Sequence, residues 1–516
     1  MQSSIVGKIF SVLLLIVLCF LLGSLGADSA KSAVAAIVVG VAVFAVLFLG
    51  KNCWVLIFLL APLSTFISPS KLSKFSIDML IGNGILLYWV LLWGMGYVKF
   101  RWRSMLWLDL PILGILIYLI ATYLRYPVSI QLLGLSTDRM GGTPYVVFIS
   151  GILLYVALSS IPMEMHKLRQ VLEWTAALTL VGHAVGCVLH LMGYNVLPEA
   201  ALDRGTFETA YNTRFVAFIH IGVFGILYIY AKFPLKRILQ SPPLVLLLLF
   251  CFAGVIISSF RARFASLMVT LMAMAVVKRE VTALICMGIF GICGIYVLNA
   301  ADMTKELPVG LQRIVNHLPG VTVSGSVARK ANSSMEWRYE LWSYALDPRT
   351  GAIKDYIWGD GMGFSYTEQR RASVALGHIR GLWYGKIYEN TMRGKVWHNS
   401  LISSIQVVGI VGLSIMLFIY LVVFISIFRV AISAPDNQMR FLSLFFLFPQ
   451  FLFLEDIITG GTPEILFFIY DMVIISYLKM MYCFAREEGW LRPLFARHKY
   501  EPMMLYDYKD RLKPVE

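Results

Sequence analysis

Charged residues are scarce in this chain. Asp, Glu, Lys and Arg make up 14% of its 516 residues, whereas 59% are apolar, and the mean hydropathy is +0.75. A soluble domain carries about 25% charged residues, so this composition excludes that class and predicts an integral membrane protein. The formal charge of +14 does not predict a nucleic-acid partner, because the basic residues gather between apolar runs, where they orient helices and meet anionic lipid.

Cysteines and metal-binding motifs are also sparse. The seven cysteines lie inside or at the ends of apolar runs and include no C-x-x-C pair, so neither a disulfide framework nor a zinc site is predicted. The loops predicted outside the membrane contain no paired-carboxylate motif, and we therefore expect no metal or other cofactor. The first apolar run is followed at once by a second, which is typical of a retained span rather than a cleaved signal.

Apolar runs long enough to cross about 30 Å of hydrocarbon predict an all-α polytopic membrane protein with about fourteen transmembrane helices. The runs lie at 9–27, 33–50, 53–68, 78–98, 106–124, 144–161, 170–193, 214–231, 241–258, 264–278, 281–299, 401–428, 440–456 and 463–482. The third and the tenth are short for a span.

Lys and Arg gather in five segments that fall on one side of the membrane if both termini are cytoplasmic. These are 99–103, 167–169, 232–237, 278–279 and 486–513, with Lys71 and Lys74 as exceptions. We divide the chain into N-terminal transmembrane helices 1–200, further transmembrane helices 201–299, a large outer loop 300–397, C-terminal transmembrane helices 398–482 and a basic cytoplasmic tail 483–516. Only the outer loop is polar and long enough to fold over a helix bundle.

A lone histidine, His398, lies where the outer loop meets the apolar run 401–428. An imidazole with a pKa near 6.5 suits a general base close to neutral pH. Asn399 and Ser400 offer a second interpretation, because both residue types favour the N-terminal cap of a helix and a histidine beside a cap is often only solvated.

Arginines form a second group of candidates. Arg261 and Arg263 adjoin a run that enters the membrane from the outer side, where an unpaired charge is costly and therefore marks a candidate site. The alternative is that the side chain reaches up to a lipid phosphate. Arg338 and Trp342 are four residues apart on a helix predicted at 335–346 and so share a face.

Other polar features carry weaker signals. The loop before the eighth run contains Arg204, Asn212 and Arg214, together with a Gly-Thr-Phe triplet that is also compatible with ordinary turn chemistry. The glycine-rich turn 358–364 has no preceding strand and no Gly-Lys-Ser/Thr ending, so it predicts a phosphate cradle only weakly. His183 and His190 share a helical face but have no carboxylate in register, so no proton relay or metal site is expected there.

The order and sidedness of these motifs resemble the bacterial O-antigen ligase and O-antigen (exopolysaccharide) polymerase superfamily. The match runs from about Arg204 to Gly412, and its most specific part is His398-Asn399, nine residues, then Gly409-Ile410-Val411-Gly412. The resemblance implies a GT-C-type glycosyltransferase with one large periplasmic loop, located in the bacterial inner membrane. It implies an active site at the periplasmic face that acts on glycans carried by undecaprenyl pyrophosphate.

The resemblance also assigns residues. The essential arginines of the family fall on Arg261 and Arg338, with Arg263 as the alternative to Arg261 because Phe260 interrupts the usual Ser-Arg pair. The family's histidine falls on His398. The resemblance further implies substrate-binding roles, which we assign to Arg204, Asn212, Arg214, Arg263, Trp342 and Asn399.

Fixed guanidinium groups can hold the charge of a pyrophosphate leaving group without a metal. Together with a histidine base, they predict direct displacement with inversion at the anomeric carbon. A double displacement would need a carboxylate nucleophile, for which Glu340 is conceivable but not favoured.

Three functions share these residues. A polymerase passes the glycan to an acceptor glycan, and fourteen spans with about sixty residues between Arg338 and His398 favour it. A ligase passes the glycan to lipid A core, and the intact histidine and glycine motif favours that reading. A carrier or flippase would bind the substrate phosphate during transport, but no internal repeat supports it. The family further implies a chain-length regulator and a flippase as partners.

Overall fold

The fold is known from a computed structural model. It describes residues 48–60, 77–129, 139–140, 142–191, 216–257, 261–307, 311–312, 315–316, 318–365, 395, 397, 399–446 and 464–491. Of the predicted spans, 9–27 lies wholly outside these residues, and seven lie partly outside them: 33–50, 53–68, 170–193, 214–231, 241–258, 440–456 and 463–482. The five-part division of the chain stays a prediction.

The described residues are helical, apart from turns, loops and one short strand pair. The helices are α1 (Val55–Leu60), α2 (Ile77–Gly94), α3 (Leu106–Arg125), α4 (Thr143–Ser160), α5 (Met165–Leu191), α6 (Val216–Lys232), α7 (Leu235–Gln240), α8 (Pro242–Ile257), α9 (Arg261–Lys278), α10 (Val281–Ala300), α11 (Gly325–Leu346), α12 (Ser400–Ser433) and α13 (Glu464–Glu487). Residues 437–446 are helical too. Strands β1 (Arg139–Met140) and β2 (Phe364–Ser365) pair antiparallel.

Two of the described helices, α3 and α12, are long and apolar enough to cross a membrane, and several shorter helices are also apolar. The all-helical fold predicted from the sequence is therefore confirmed for the described residues. The count of fourteen spans stays a prediction. The helix predicted at 335–346 is part of the longer α11, which begins ten residues earlier, at Gly325.

Apolar side chains fill the core and also cover much of the exterior. Trp54, Phe58 and Trp89 are almost fully buried between helices that pack in the pairs α2–α4, α4–α13, α13–α12 and α12–α3, while α6 contacts both α5 and α8. Outward-facing Trp107 and Phe290 are more than three-quarters exposed. An apolar exterior of this kind is expected where helices face lipid.

Basic residues gather at one end of the helices, which we call the basic end. The main-chain nitrogen of Arg103 donates to the Ser159 carbonyl at 2.8 Å, and its Nε lies 3.9 Å from Glu487 Oε1. These contacts bring together the start of α3 and the ends of α4 and α13.

The basic end continues across α5, α6 and α9. Arg169 Nη1 lies 3.1 Å from Asp436 Oδ2, and Lys278 Nζ donates to the Phe233 carbonyl at 2.5 Å. The described members of the five basic segments therefore share one end, as their Lys and Arg content predicts. Which face of a membrane this end meets stays a prediction.

A buried ion pair joins α13 to α3 and α4 near the basic end. Lys479 Nζ lies 2.7 Å from Asp109 Oδ1 and 2.7 Å from Ser159 Oγ, and the Tyr155 hydroxyl also donates to Asp109 Oδ1. The Lys479 side chain is 1% exposed. This pair was not predicted from the sequence, although an ionisable residue inside a predicted span is itself a signal of a special role.

Candidate functional site

The end opposite to the basic end, the loop end, carries the start of α12. Asn399 is the N-cap of this helix, and its side-chain oxygen accepts hydrogen bonds from the main-chain nitrogens of Leu401 and Ile402 at 3.0 and 3.3 Å. The capping interpretation of Asn399 is therefore confirmed. Because the capping bonds use only Oδ1, a substrate contact from this side chain would involve its amide nitrogen.

The residue before the predicted base is held from several sides. Trp397 is fully buried, its main-chain nitrogen donates to Ser403 Oγ at 2.9 Å, and its indole nitrogen donates to Gln406 Oε1 at 2.9 Å. The indole nitrogen of Trp342 donates to the Trp397 carbonyl at 2.9 Å. Residues on both sides of position 398 are thus fixed, while His398 itself lies outside the described residues.

Arg338 lies on α11, one turn before Trp342. The Arg338 side chain is half-buried, and the two residues share a helix face, as their spacing predicts. Leu341 and Ala345 of the same helix pack with Trp397 in a small apolar cluster. The structure therefore places α11, with Arg338 and Trp342, beside the segment that leads into α12.

Arg261 and Arg263 lie in the first turn of α9. This helix ends at Lys278 at the basic end, and eighteen residues at 1.5 Å each span about 27 Å, so its first turn lies towards the loop end. Both α9 and α11 contact α12. The side chains of Arg261 and Arg263, and all of Arg204, Asn212 and Arg214, lie outside the described part of the chain.

The helix α12 is broken at Gly409, which has φ 63° and ψ 179°. The break is filled by the segment Asp355–Gly361, which we call the docking loop. The main-chain nitrogens of Asp360 and Gly361 in this loop donate hydrogen bonds to the carbonyls of Gln406 and Val407 in α12, at 2.7 and 3.0 Å. In the other direction, Ile410 and Val411 donate to the carbonyls of Tyr356 and Ile357, at 2.9 and 3.2 Å.

Glycines make this close approach possible. A Cβ added to Gly359 would lie 2.5 Å from the Gly409 nitrogen, and Gly359 has a φ of +75° that side chains disfavour. The glycine-rich turn therefore brings one backbone against another. Two of its amide nitrogens donate to α12, so they do not form the anion cradle that the sequence suggested weakly.

Helix α3 holds the docking loop from the other side. The Tyr118 hydroxyl lies 2.8 Å from the Trp358 carbonyl and 2.6 Å from the Val408 carbonyl. Arg125 Nη2 lies 2.9 Å from Asp355 Oδ2. A main-chain hydrogen bond from Trp358, aided by Ile357 and by the Arg125 guanidinium, lowers the pKa of Asp355.

The loop end also contains two buried charged residues. Asp360 and Lys395 are each 6% exposed. The Asp360 carboxylate accepts from the main-chain nitrogens of Lys354 and Asp355 at 3.2 and 3.0 Å, and Lys395 Nζ donates to the Gly361 carbonyl. Burial raises the pKa of Asp360, and the nearby Lys395 ammonium opposes that rise. By contrast, Glu340, the conceivable nucleophile, is exposed.

Three structural partners of the candidate site were not predicted from the sequence: Gln406, Lys395 and Tyr118. Gln406, a polar residue in an apolar run, was the one available signal. Within the described residues, no group of three or more His, Cys, Asp or Glu side chains could hold a metal ion. His183 is a core residue, stacked on Phe224 with ring centroids 4.6 Å apart.

Comparison with known proteins adds no support for a family, so the resemblance described above depends on the motifs alone. The chain matches no protein-family model, and no curated protein matches it.

Proposed function

We propose that this protein is a membrane glycosyltransferase that moves a glycan from undecaprenyl pyrophosphate to an acceptor sugar at the periplasmic face of the inner membrane. The observation that carries the proposal is the contact of α12 with both α9 and α11. These helices bear the predicted arginines, Arg261 and Arg338, and α12 begins two residues after the predicted base, His398. Motifs far apart in the sequence thus belong to helices that contact a common helix.

The proposed donor chemistry depends on the arginines. Negative charge gathers on the pyrophosphate as the bond to the sugar C1 atom breaks. Planar guanidinium groups at Arg261 and Arg338 would bind that charge with paired hydrogen bonds, and such fixed donors stabilise the transition state more than the ground state. Arg263 is the alternative partner from the same helix turn.

The proposed acceptor chemistry depends on His398. The attacking sugar hydroxyl loses its proton as it bonds to C1, and a neutral imidazole can accept that proton near pH 7. The described carboxylates nearby fit this task less well, because the Asp360 carboxylate is buried and accepts main-chain hydrogen bonds. Attack from the face opposite to the leaving group inverts the anomeric centre.

Two acceptors are compatible with this chemistry. We favour an acceptor glycan, and hence a polymerase of O-antigen or exopolysaccharide repeat units, because of the long segment between Arg338 and His398. The intact motif that ends in Gly409 and Gly412 favours a ligase that uses lipid A core. Proposed partners of either enzyme are a flippase that supplies the donor and, for a polymerase, a chain-length regulator.

The broken helix supports an enzyme over a carrier. In transporters, the ends of discontinuous helices bind substrate or ions. In α12 the freed groups of Gln406, Val407, Ile410 and Val411 instead bind the backbone of the docking loop. These groups are therefore occupied by the protein itself.

Surface polysaccharide from a deletion strain tests the proposal. A polymerase deletion should leave a single repeat unit on lipid A core, whereas a ligase deletion should leave long glycan on undecaprenyl pyrophosphate and none on lipid A. Unchanged surface and lipid-linked glycans would contradict both functions.

Cysteine labelling tests the orientation. In a cysteine-free background, an impermeant maleimide added from outside should label Arg329→Cys in the outer loop, since Arg329 is exposed. It should not label Lys236→Cys, which is exposed near the basic end. The reverse pattern would overturn the proposed orientation.

A further inference from the structure

Two buried charges have no role in the proposed chemistry: Asp360 in the docking loop, and Lys395 in the segment just before α12, which we call the lead-in. Asp360 and Lys395 are each 6% exposed. Lys395 has a left-handed φ of +52°, a conformation that non-glycine residues adopt at a cost in free energy. Two buried charges that interact electrostatically are rarely needed for stability, because apolar side chains of similar volume often serve equally well. The presence of two buried charges here therefore requires another explanation.

Lys395 and Asp360 both help to connect the lead-in with the broken part of α12. Lys395 precedes α12 by five residues, and its Nζ donates to the carbonyl of Gly361. The main-chain nitrogen of the same glycine donates to Val407, which lies at the break of α12. Lys395 thus bonds the lead-in to the docking loop, and the loop bonds to the helix interior.

Asp360 keeps the docking loop in the shape that these bonds need. Its carboxylate accepts from the main-chain nitrogens of Lys354 and Asp355, while its own nitrogen donates to Gln406. Gln406 in turn bonds to the Trp397 indole at 2.9 Å. A continuous path of hydrogen bonds and main chain therefore runs from Lys395 through Gly361, Asp360 and Gln406 to Trp397.

We propose that Asp360 and Lys395 are positioning residues that fix the lead-in to α12 against the broken part of that helix. This inference rests on the proposed function, in which the lead-in carries the base at position 398. Neither residue is proposed to touch the donor or the reacting atoms, so their loss should lower kcat and leave KM for the donor unchanged. A small displacement of a reacting group costs about 10²-fold in rate.

The test uses the full-length protein in membranes with lipid-linked glycan extracted from the deletion strain. Lys395→Met should lower kcat by about 10²-fold with an unchanged KM. Hydrogen exchange should become faster at 355–361 and 406–411, where the main-chain bonds loosen. Lys236→Met is the matched control, because it makes the same substitution at an exposed residue near the basic end and should alter neither measurement.

The double variant Asp360→Asn/Lys395→Met keeps the test decisive if Lys395→Met does not fold. It removes both charges while Asn can still accept the main-chain hydrogen bonds. Low kcat and fast exchange in a folded double variant would support the inference. Wild-type kcat or wild-type exchange in either folded variant would overturn it. Absence of transfer by the wild-type protein would instead contradict the proposed function.

Discussion

The main-chain nitrogen of Ile410 donates a hydrogen bond to the carbonyl oxygen of Tyr356, with the two atoms 2.9 Å apart. In an unbroken helix this nitrogen would bond to the carbonyl of Gln406, which instead accepts from Asp360. The docking loop therefore replaces the missing helical bonds of α12. Apolar surroundings make such replacement necessary, because a buried main-chain group without a partner is costly.

Gly409→Ala should destabilise the protein. Gly409 has φ 63° and ψ 179°, a region that is accessible essentially to glycine alone, and an added Cβ would overlap the carbonyl of Ile357. We expect a loss of about 3 kcal/mol or more in the free energy of unfolding. Denaturation in detergent measures it. Gly114→Ala in α3 is the control, because its added Cβ meets no atom within 4 Å; equal losses in both variants would contradict the explanation.

Substitution of the predicted arginines should impair transfer. At Arg261 and Arg338, both Ala and Lys should lower kcat/KM by about 10²-fold or more, because Lys keeps the charge but lacks the planar fork. Transfer from lipid-linked donor in membranes measures the effect. Normal activity of Arg261→Lys would refute paired hydrogen bonding at that position. Sensitivity of Arg263 alone would move the assignment by two residues.

His398→Ala should abolish transfer while donor binding and folding persist, because a base acts on the reaction and not on donor affinity. His398→Gln should be nearly as inactive, since Gln cannot take up a proton near neutral pH. Any residual activity should lack the acidic limb of the pH profile. Asn399→Ala separates the two interpretations of Asn399: if this residue only caps α12, the variant should cost about 1 kcal/mol of stability with little change in rate. Near-normal polymer synthesis by His398→Gln would exclude the base role.

Asp360 and Asp355 should give opposite pH dependences of stability. Burial raises the pKa of Asp360 above its unfolded value of about 3.9, so the stability it contributes is complete below that value and is lost as pH rises through the folded pKa. Bonds from Trp358 lower the pKa of Asp355, so its contribution is present above the unfolded pKa and is lost as pH falls through the folded one.

Unfolding measured between about pH 3 and 7 checks this difference. Relative to wild type, Asp360→Asn should become more stable as pH rises, and Asp355→Asn should become less stable. The same trend in both variants would show that the two carboxyl groups do not titrate as their surroundings imply.

Breaking the buried pair Asp109–Lys479 should also destabilise the protein. Lys479→Met leaves a buried carboxylate without its cation and should cost about 3–5 kcal/mol, whereas the double variant Asp109→Asn/Lys479→Met should regain most of this loss. Lys305→Met removes an exposed partner of Asp302 and should change stability little. An additive loss in the double variant would contradict the pairing.

Several features of the fold could be predicted from the sequence because they depend on local interactions. Apolar runs predicted the positions of the described helices other than α7 and α11, since main-chain groups in an apolar medium must bond within their own segment. Asn399 predicted the start of α12 through its capping chemistry. The spacing of Arg338 and Trp342 placed both on one face of α11, and the Lys and Arg segments predicted which helix ends lie together.

The remaining features required the tertiary structure. Asp109 and Lys479 are 370 positions apart, and Asp360 meets Gln406 across a loop and a helix start. Neither pairing follows from spacing, because each depends on which helices pack together. The break at Gly409 could not be predicted either, because it also depends on contacts between distant parts of the chain. The apolar run 401–428, even with its two glycines, predicts a continuous helix, and only a second backbone that supplies the missing hydrogen bonds allows the helix to be broken at Gly409.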